Sequence, residues 1–200
     1  MTLPRQAPLS RRRLLGLASA LPLSACGSGE PDYYTLAVSP GTPQPGGPLT
    51  VEVRTPSVTP YLDRDTIVRT ETDDKLILAH GAAWAGALSD MIGRVLAADL
   101  GQRLPGSNVY AENGAISTQA LALVELDVSR FLADAQDRAE MTANLSVHRP
   151  NAGPSGSRLL HLTGTTADSS VGALVASLSV LLGQVADVAA DELRALPPRS

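Results

Sequence analysis

The amino-acid sequence predicts an α+β fold, a mostly antiparallel sheet with two long amphipathic helices packed on one face. Three observations lead there. Short segments at residues 49–54 and 138–149 alternate apolar and polar side chains, the period of a half-buried strand. Two longer segments, 82–103 and 170–196, space their apolar residues by three and four, the period of a helix with one buried stripe. The order is strands, helix, strands, helix, which favours helices laid over one side of a sheet.

Residues 1–25 stand apart from that fold. Arg5, Arg11, Arg12 and Arg13 form a basic region without acids, followed by an apolar run over 14–23 and then Leu23-Ser24-Ala25-Cys26. This is a bacterial secretory signal ending in a lipobox. A membrane-spanning helix needs roughly 20 apolar residues; this run is much shorter and contains Pro22. The chemistry needs a thiol at the cut, because the Cys26 sulfur takes a diacylglyceryl group before cleavage leaves Cys26 as the first residue. Ser10-Arg11-Arg12-Arg13-Leu14-Leu15 also fits a twin-arginine export signal, so Sec and twin-arginine routes both stay open. Cys26 is the only cysteine, so no internal disulfide supports the exported fold. The expected location is the bacterial cell envelope, lipid-anchored and facing the periplasm. Gly27 follows the anchor where an Asp would retain many lipoproteins in the inner membrane, which leans towards the outer membrane.

Residues 26–48 read as a flexible tether and Pro/Gly connector: Gly27-Ser28-Gly29, then a run from Pro40 to Pro48 that cannot be helical. The apolar island at 33–38 between them is expected to dock as a short edge strand. Residues 49–197 form a single domain, within the roughly 100–200 residues usual for one. Its first strand, 49–54, is ended by Pro56 and Pro60. A loop from Tyr61 leads into a second strand near Ile67-Val68-Arg69, and the acidic turn Thr72-Asp73-Asp74-Lys75 returns a third over 75–79, making a hairpin. Over 82–103 the stripe is Trp84, Leu88, Met91, Ile92, Val95, Leu96 and Leu100, with Asp90, Arg94, Asp99 and Arg103 off it. Pro105-Gly106 stops this helix, and 108–111 is a brief strand.

Residues 121–131, 138–149 and 158–166 then read as three antiparallel strands. In the middle one Ala139, Met141, Ala143, Leu145 and Val147 share a face. The last helix carries Val171, Leu174, Val175, Leu178, Leu181, Leu182, Val185, Val188 and Leu193, with Asp168 or Ser169 as N-cap and Pro197-Pro198 beyond its end. Its near-uncharged first half raises a membrane span, but Gln184, the serines and the glycines favour a buried core helix.

Composition excludes several function classes. The chain has 16 basic and 20 acidic residues; four of the basic ones lie in the signal, which leaves the remainder with an excess of eight acids. That balance excludes a nucleic-acid surface, and no basic cluster follows Arg13. The aromatics are only Tyr33, Tyr34, Tyr61, Trp84, Tyr110 and Phe131, too few for a stacking platform. No catalytic constellation is legible. Gly153-Pro154-Ser155-Gly156-Ser157 lacks the final glycine of a nucleophile elbow and lies between strands, whereas an elbow joins a strand to a helix. His148 and His161 could meet across the hairpin this loop closes, but two ligands fall short of a zinc site, and His80 is remote. Asp63-Arg64-Asp65 reads as a turn tied by local ion pairs. The expectation is a non-enzyme with no cofactor and no metal.

Tyr61-Leu62-Asp63-Arg64 followed by Ile67-Val68-Arg69 resembles a motif of the ABC-type transport auxiliary lipoproteins, the PqiC/YmbA-like membrane-integrity family. Tyr33-Tyr34-Thr35-Leu36, Trp84 with Leu88, Arg94-Val95-Leu96-Ala97 and Ala173-Leu174-Val175-Ala176-Ser177-Leu178 also look like that family, in order and behind the lipobox. Asp65 stands where the family commonly has Pro, Gly86-Ala87 replaces a frequent Glu-Pro, and the strand at Ala143-Asn144-Leu145 lacks a frequent aromatic. The resemblance implies a non-catalytic accessory subunit of an MCE/ABC-type lipid transport system. It would bind and position an MCE-domain protein beside an ABC permease and ATPase, with room for a homo-oligomer. By the same resemblance Tyr61, Leu62, Asp63 and Arg64 are candidates for partner recognition; equally, Tyr61 and Leu62 could plug the end of the sheet. A lipid-carrier lipoprotein or a purely structural envelope lipoprotein is the alternative.

Overall fold

The computed structural model describes residues 29–72, 74–112, 115, 118–151 and 156–197. Cys26 and the signal lie outside the described residues. Among the described residues, nine strands and two helices follow in the order β1 (Asp32–Tyr34), β2 (Thr50–Val53), β3 (Ser57–Val58), β4 (Thr66–Thr72), β5 (Lys75–Trp84), α1 (Leu88–Arg103), β6 (Asn108–Ala111), β7 (Ala122–Ala133), β8 (Ala139–His148), β9 (Arg158–Gly164) and α2 (Val171–Ala195).

The twelve-residue β7 is the axis of the sheet. Val124, Leu126, Val128 and Phe131 are buried on it, and β8 answers with Ala139, Met141, Ala143 and Leu145. One edge of β7 pairs antiparallel with β8, which pairs antiparallel with β9. Its other edge is shared in succession by β2, β3 and β4, all parallel to it. Beyond these, β6 pairs parallel with β2, β5 antiparallel with β4, and β1 parallel with β5. The sheet is therefore mixed: the long ladders are antiparallel, and the connections through α1 and the loops add parallel pairs. Alternation along one strand reveals which side chains face the core but not the direction of its neighbour, which a crossover sets.

Between Val128 and Arg130 the β7–β8 register slips by one residue, leaving Ser129 in a bulge. The slip falls where the facing edge passes from β3 towards β4, so the bend and extra twist of a bulge accompany that change of partner.

Trp84 does not open the first helix. It closes β5 opposite Tyr34, and its backbone N–H donates to Asp65 O at 2.6 Å. The ring lies 6.4 Å from that of Phe131 at 36°, both buried. An indole satisfies a helical stripe or a strand end equally well as an apolar residue; here the β5 ladder prevails, and the helix begins at Leu88 behind an Ala87 with no side-chain cap. The α2 cap is Ser170, whose Oγ accepts from Ala173 N at 3.1 Å, and Asp168 Oδ1 accepts from Ser170 N at 2.8 Å. Asp168 thus braces the cap without being it.

Both helices lie on one face of the sheet, α2 over β7, β8 and β9, α1 over β2, β3 and β6, and the two touch each other. By length and composition α2 could cross a membrane, with a mean hydropathy of 1.8 in its most apolar window. Its stripe, Leu174, Leu178, Leu181, Leu182, Val185 and Leu193, is instead spent on the core.

The described part of the Pro/Gly connector is extended, as its prolines require, and lies across the helix pair as a strap. Leu36 is buried; Ala37 N donates to Ser179 Oγ at 3.1 Å, Ser39 N to Asp99 Oδ1 at 2.7 Å, and Gln44 N to Arg103 O at 3.1 Å. Periodicity places Asp99 and Arg103 off the apolar stripe of α1, yet both are buried, because α2 and the strap cover that side. Arg103 Nε reaches Asp187 Oδ1 at 2.6 Å, and its Nη1 donates to Asp99 O at 3.0 Å and Ser39 O at 3.3 Å. Close approach requires glycine at Gly183, where a Cβ would stand 2.6 Å from Ser39 Cβ. Gly183→Ala is expected to push the strap off α2 and cost about 1–3 kcal/mol, the usual cost of overpacking. A urea midpoint equal to wild type would contradict that.

Burial pushes the Asp99 carboxyl up to about 6, against the Ser39 N–H and Arg103, which pull it down. The ordinary value is 3.8, so between about pH 4 and 6 the folded chain keeps a proton the unfolded chain has lost. The Asp99 contribution therefore falls as pH rises through that window. Asp134 and Asp168 tilt the profile the other way. In Asp134, burial pushes up but the Arg138 and Gln136 donors outweigh it; in Asp168 the Ser170 hydrogen bonds lower it. The clean readout is the difference between wild type and Asp99→Asn. Relative to wild type, the variant is expected to gain up to about 2–3 kcal/mol between pH 4 and pH 7 in urea melts; a constant difference would sink the assignment.

Candidate functional site

The loop that joins β3 to β4 is built on the β7 bulge. Thr59 N donates to Val128 O at 3.0 Å, and Leu62 N and Asp63 N turn back to Thr59 O at 2.9 and 3.2 Å. Tyr61 Oη donates to the bulge carbonyl, Ser129 O, at 2.5 Å. Burial raises the Tyr61 phenol above its ordinary value, with Arg130 pulling down and Glu140 pushing up. Leu62 is buried in the core. Tyr61 and Leu62 thus hold the loop against the edge of β7 between β3 and β4, Tyr61 from a half-buried position.

Asp63, Arg64 and Asp65 are the exposed part of the same loop. The expected local ion pairs do not form among them: no salt bridge among the described residues involves any of the three. The backbone geometry points their side chains outward because Leu62, the apolar residue before them, is drawn into the core. Of the four candidates, Asp63 and Arg64 are exposed, and Tyr61 and Leu62 set their position. Asp65 and Thr66 continue from this loop into a shallow cavity of about 440 Å³ shared with Pro31, Tyr33, Leu78, His80 and Trp84.

The histidines do not converge. His161 stands opposite Thr142, with its Nδ1 2.9 Å from Thr142 Oγ1, whereas His148 stands opposite Leu123 and beside Glu125, Nε2 to Oε2 3.4 Å. The β8–β9 register therefore keeps them apart, and each is an ordinary polar residue of the sheet. Gly153-Pro154-Ser155 falls outside the described residues. Among the described residues, no cluster of three or more His, Cys, Asp or Glu side chains is arranged to hold a metal ion.

Over β7 and β8 the open face of the sheet, away from the helices, is polar. Arg130 Nε meets Glu140 Oε1 at 2.7 Å there, and a groove of about 320 Å³ runs past Arg138 and His161. Sequence alternation marked this face as wet. It did not mark the bulge that gives Tyr61 its partner, because a one-residue slip between two strands leaves no trace in either strand alone.

The model of the family described as "ABC-type transport auxiliary lipoprotein component" matches residues 34–190. No curated protein matches the chain. Two solved structures share the fold. One, described only as an uncharacterized protein, superposes with a TM-score of 0.69 at 21% identity, over 82% of this chain and 99% of that one. The other, protein XCC0632 of Xanthomonas campestris, described as a member of family DUF330, gives 0.67 at 21% identity over 81% and 94%. The matched region runs from the end of β1 into α2, takes in the strap, the recognition-loop candidates and both helices, and shows that the chain belongs to the ABC-type transport auxiliary lipoprotein family.

Proposed function

We propose that this chain is a non-catalytic accessory subunit of an MCE/ABC-type lipid transport system, lipid-anchored through Cys26 and facing the periplasm, in the outer membrane. It binds an MCE-domain protein and positions it at the membrane beside its ABC permease and ATPase. The observation that carries this reading is a match to the auxiliary-lipoprotein family that starts eight residues after a lipobox cysteine. The excess of acids and the scarcity of aromatics speak against nucleic-acid partners. Asp63 and Arg64, exposed on a loop held rigid from below, supply a charged contact whose position does not depend on the partner.

Co-purification of the lipidated protein from its own membranes tests the assignment. An MCE-domain protein in the eluate is the expected result; a clean pulldown without one would count decisively against it. Within that assay, Asp63→Ala combined with Arg64→Ala is expected to lower capture by tenfold or more with stability unchanged within about 0.5 kcal/mol, as for surface substitutions generally. Tyr61→Phe, which removes one hydrogen bond, is expected to cost up to about 1 kcal/mol in urea unfolding. Normal capture by the double variant would remove the loop from the interface.

A further inference from the structure

We propose that the β4–β5 hairpin docks on the same lipid surface that holds the Cys26 anchor, with Leu76, Ile77 and Leu78 in the bilayer interface. The proposal rests on the lipid-anchor reading and adds an orientation to it.

Three consecutive large apolar residues are exposed on β5: Leu76 at 43%, Ile77 at 38% and Leu78 at 41%. Side chains alternate along a strand, so Leu76 and Leu78 stand on one face and Ile77 on the other. Exposed apolar residues on both faces of one strand are unusual for a surface meant to stay in water. Among the described residues, β4 pairs one side of this stretch, and β1 reaches the other side only at Ala82–Trp84, which leaves the outer edge of 75–81 open.

The position of the anchor selects the occupant. β1 runs parallel to β5, Asp32 opposite Ala82 and Tyr34 opposite Trp84. Going backwards along β1 therefore leads towards the Lys75 end of β5. Pro31 and Tyr33 already share a cavity with Leu78 and His80. The first described residue, Gly29, is three residues from Cys26, so the anchor lies within about 11 Å of it even in a fully extended chain. Lipid on Cys26 holds that end of the sheet at the bilayer, and the hairpin is what that end presents. Tyr33, 65% exposed, adds an amphipathic ring of the kind that settles at headgroup level.

Charge sets the depth. Lys75 pairs with Glu71, and Thr72 Oγ1 donates to Asp74 Oδ1 at 2.9 Å, so the turn is polar and acidic. Carboxylates and an open strand edge both need polar partners, which headgroups supply and the hydrocarbon core does not. The hairpin therefore lies at the interface without crossing. A second copy pairing along the β5 edge would satisfy the edge groups but leave both apolar faces bare.

The lipidated mature protein carrying Ile77→Cys has one free thiol, because the sulfur of the native cysteine carries the diacylglyceryl group. Labelled there with an environment-sensitive fluorophore, it is placed in phosphatidylethanolamine and phosphatidylglycerol vesicles containing brominated lipid. Leu78→Cys reports the opposite face, and Leu159→Cys, exposed on β9, is the control. Quenching several-fold stronger at 77 and 78 than at 159, and stronger with bromine near the glycerol than near the chain end, is the expected result. Equal weak quenching at all three positions overturns the proposal. Efficient bismaleimide cross-linking of Ile77→Cys between two molecules in detergent would assign the edge to a second copy and also overturn it. Intact-mass measurement separates the two readings: an acylated Cys26 with no quenching sinks the hairpin alone, and an unmodified Cys26 sinks both.

Discussion

Replacing Arg103 with methionine is expected to destabilise the domain by about 3–5 kcal/mol, the range for breaking a buried charged network by removing one partner. The methionine fills much of the space, so the loss is electrostatic. Asp99 O and Ser39 O each lose a donor, and the Asp99 carboxylate loses the neighbouring positive charge that offsets its burial. For a domain of this size the melting temperature should fall by roughly 10 °C. Arg103→Lys should recover only part of it, since an ammonium cannot address Asp187, Ser39 and the α1 backbone from one planar fork. The interaction with Asp187 is not the main component: that carboxylate is more than half exposed, so Asp187→Ala should cost no more than about 1 kcal/mol. A loss below about 1 kcal/mol for Arg103→Met in urea unfolding would mean the side chain is solvated and the strap loosely held. Limited proteolysis gives the second reading, with cleavage within residues 35–48 expected to rise sharply in the variant.

The second large effect is on function alone. Cys26→Ser is expected to leave the domain folded, with an unchanged urea midpoint, and to abolish its work in the envelope. The thiol is the only group that can take the diacylglyceryl chain, and the chain has no other cysteine. No basic cluster after Arg13 offers an electrostatic substitute. Complementation of a deletion strain, with expression matched by immunoblot, measures it. Full activity from the unlipidated protein would show that the anchor is an address and not part of the mechanism.

These two residues mark opposite ends of what a single sequence reveals. Cys26 is read from four adjacent residues and the run before them, a local pattern. The strands at 49–54, 138–149 and 158–166 and both helices are legible for the same reason: alternation and three-and-four spacing are properties of one segment. The position of Trp84 was not, because an aromatic at a segment boundary fits either period, and the Asp65 carbonyl and the Phe131 ring that decide the matter come from elsewhere in the chain.

The candidate site divides in the same way. The motif at Tyr61-Leu62-Asp63-Arg64 stood out in the sequence, but its four side chains could not be sorted there into supports and free groups. The bulge at Ser129 sorts them, by giving Tyr61 an acceptor while Leu62 fills the core.

By itself the sequence determined the α+β class, the extent of α2 to within a residue or two, the end but not the start of α1, and the single cysteine on which the anchor reading rests. Tertiary structure alone decided the parallel pairings, the strap across the helices, the burial of Asp99 and Arg103, and the exposure of Leu76, Ile77 and Leu78. The physical reason is range. A segment's period depends on its own side chains, whereas burial depends on what other segments bring against each face, and nothing in residues 88–103 announces that residues 36–44 will lie across them.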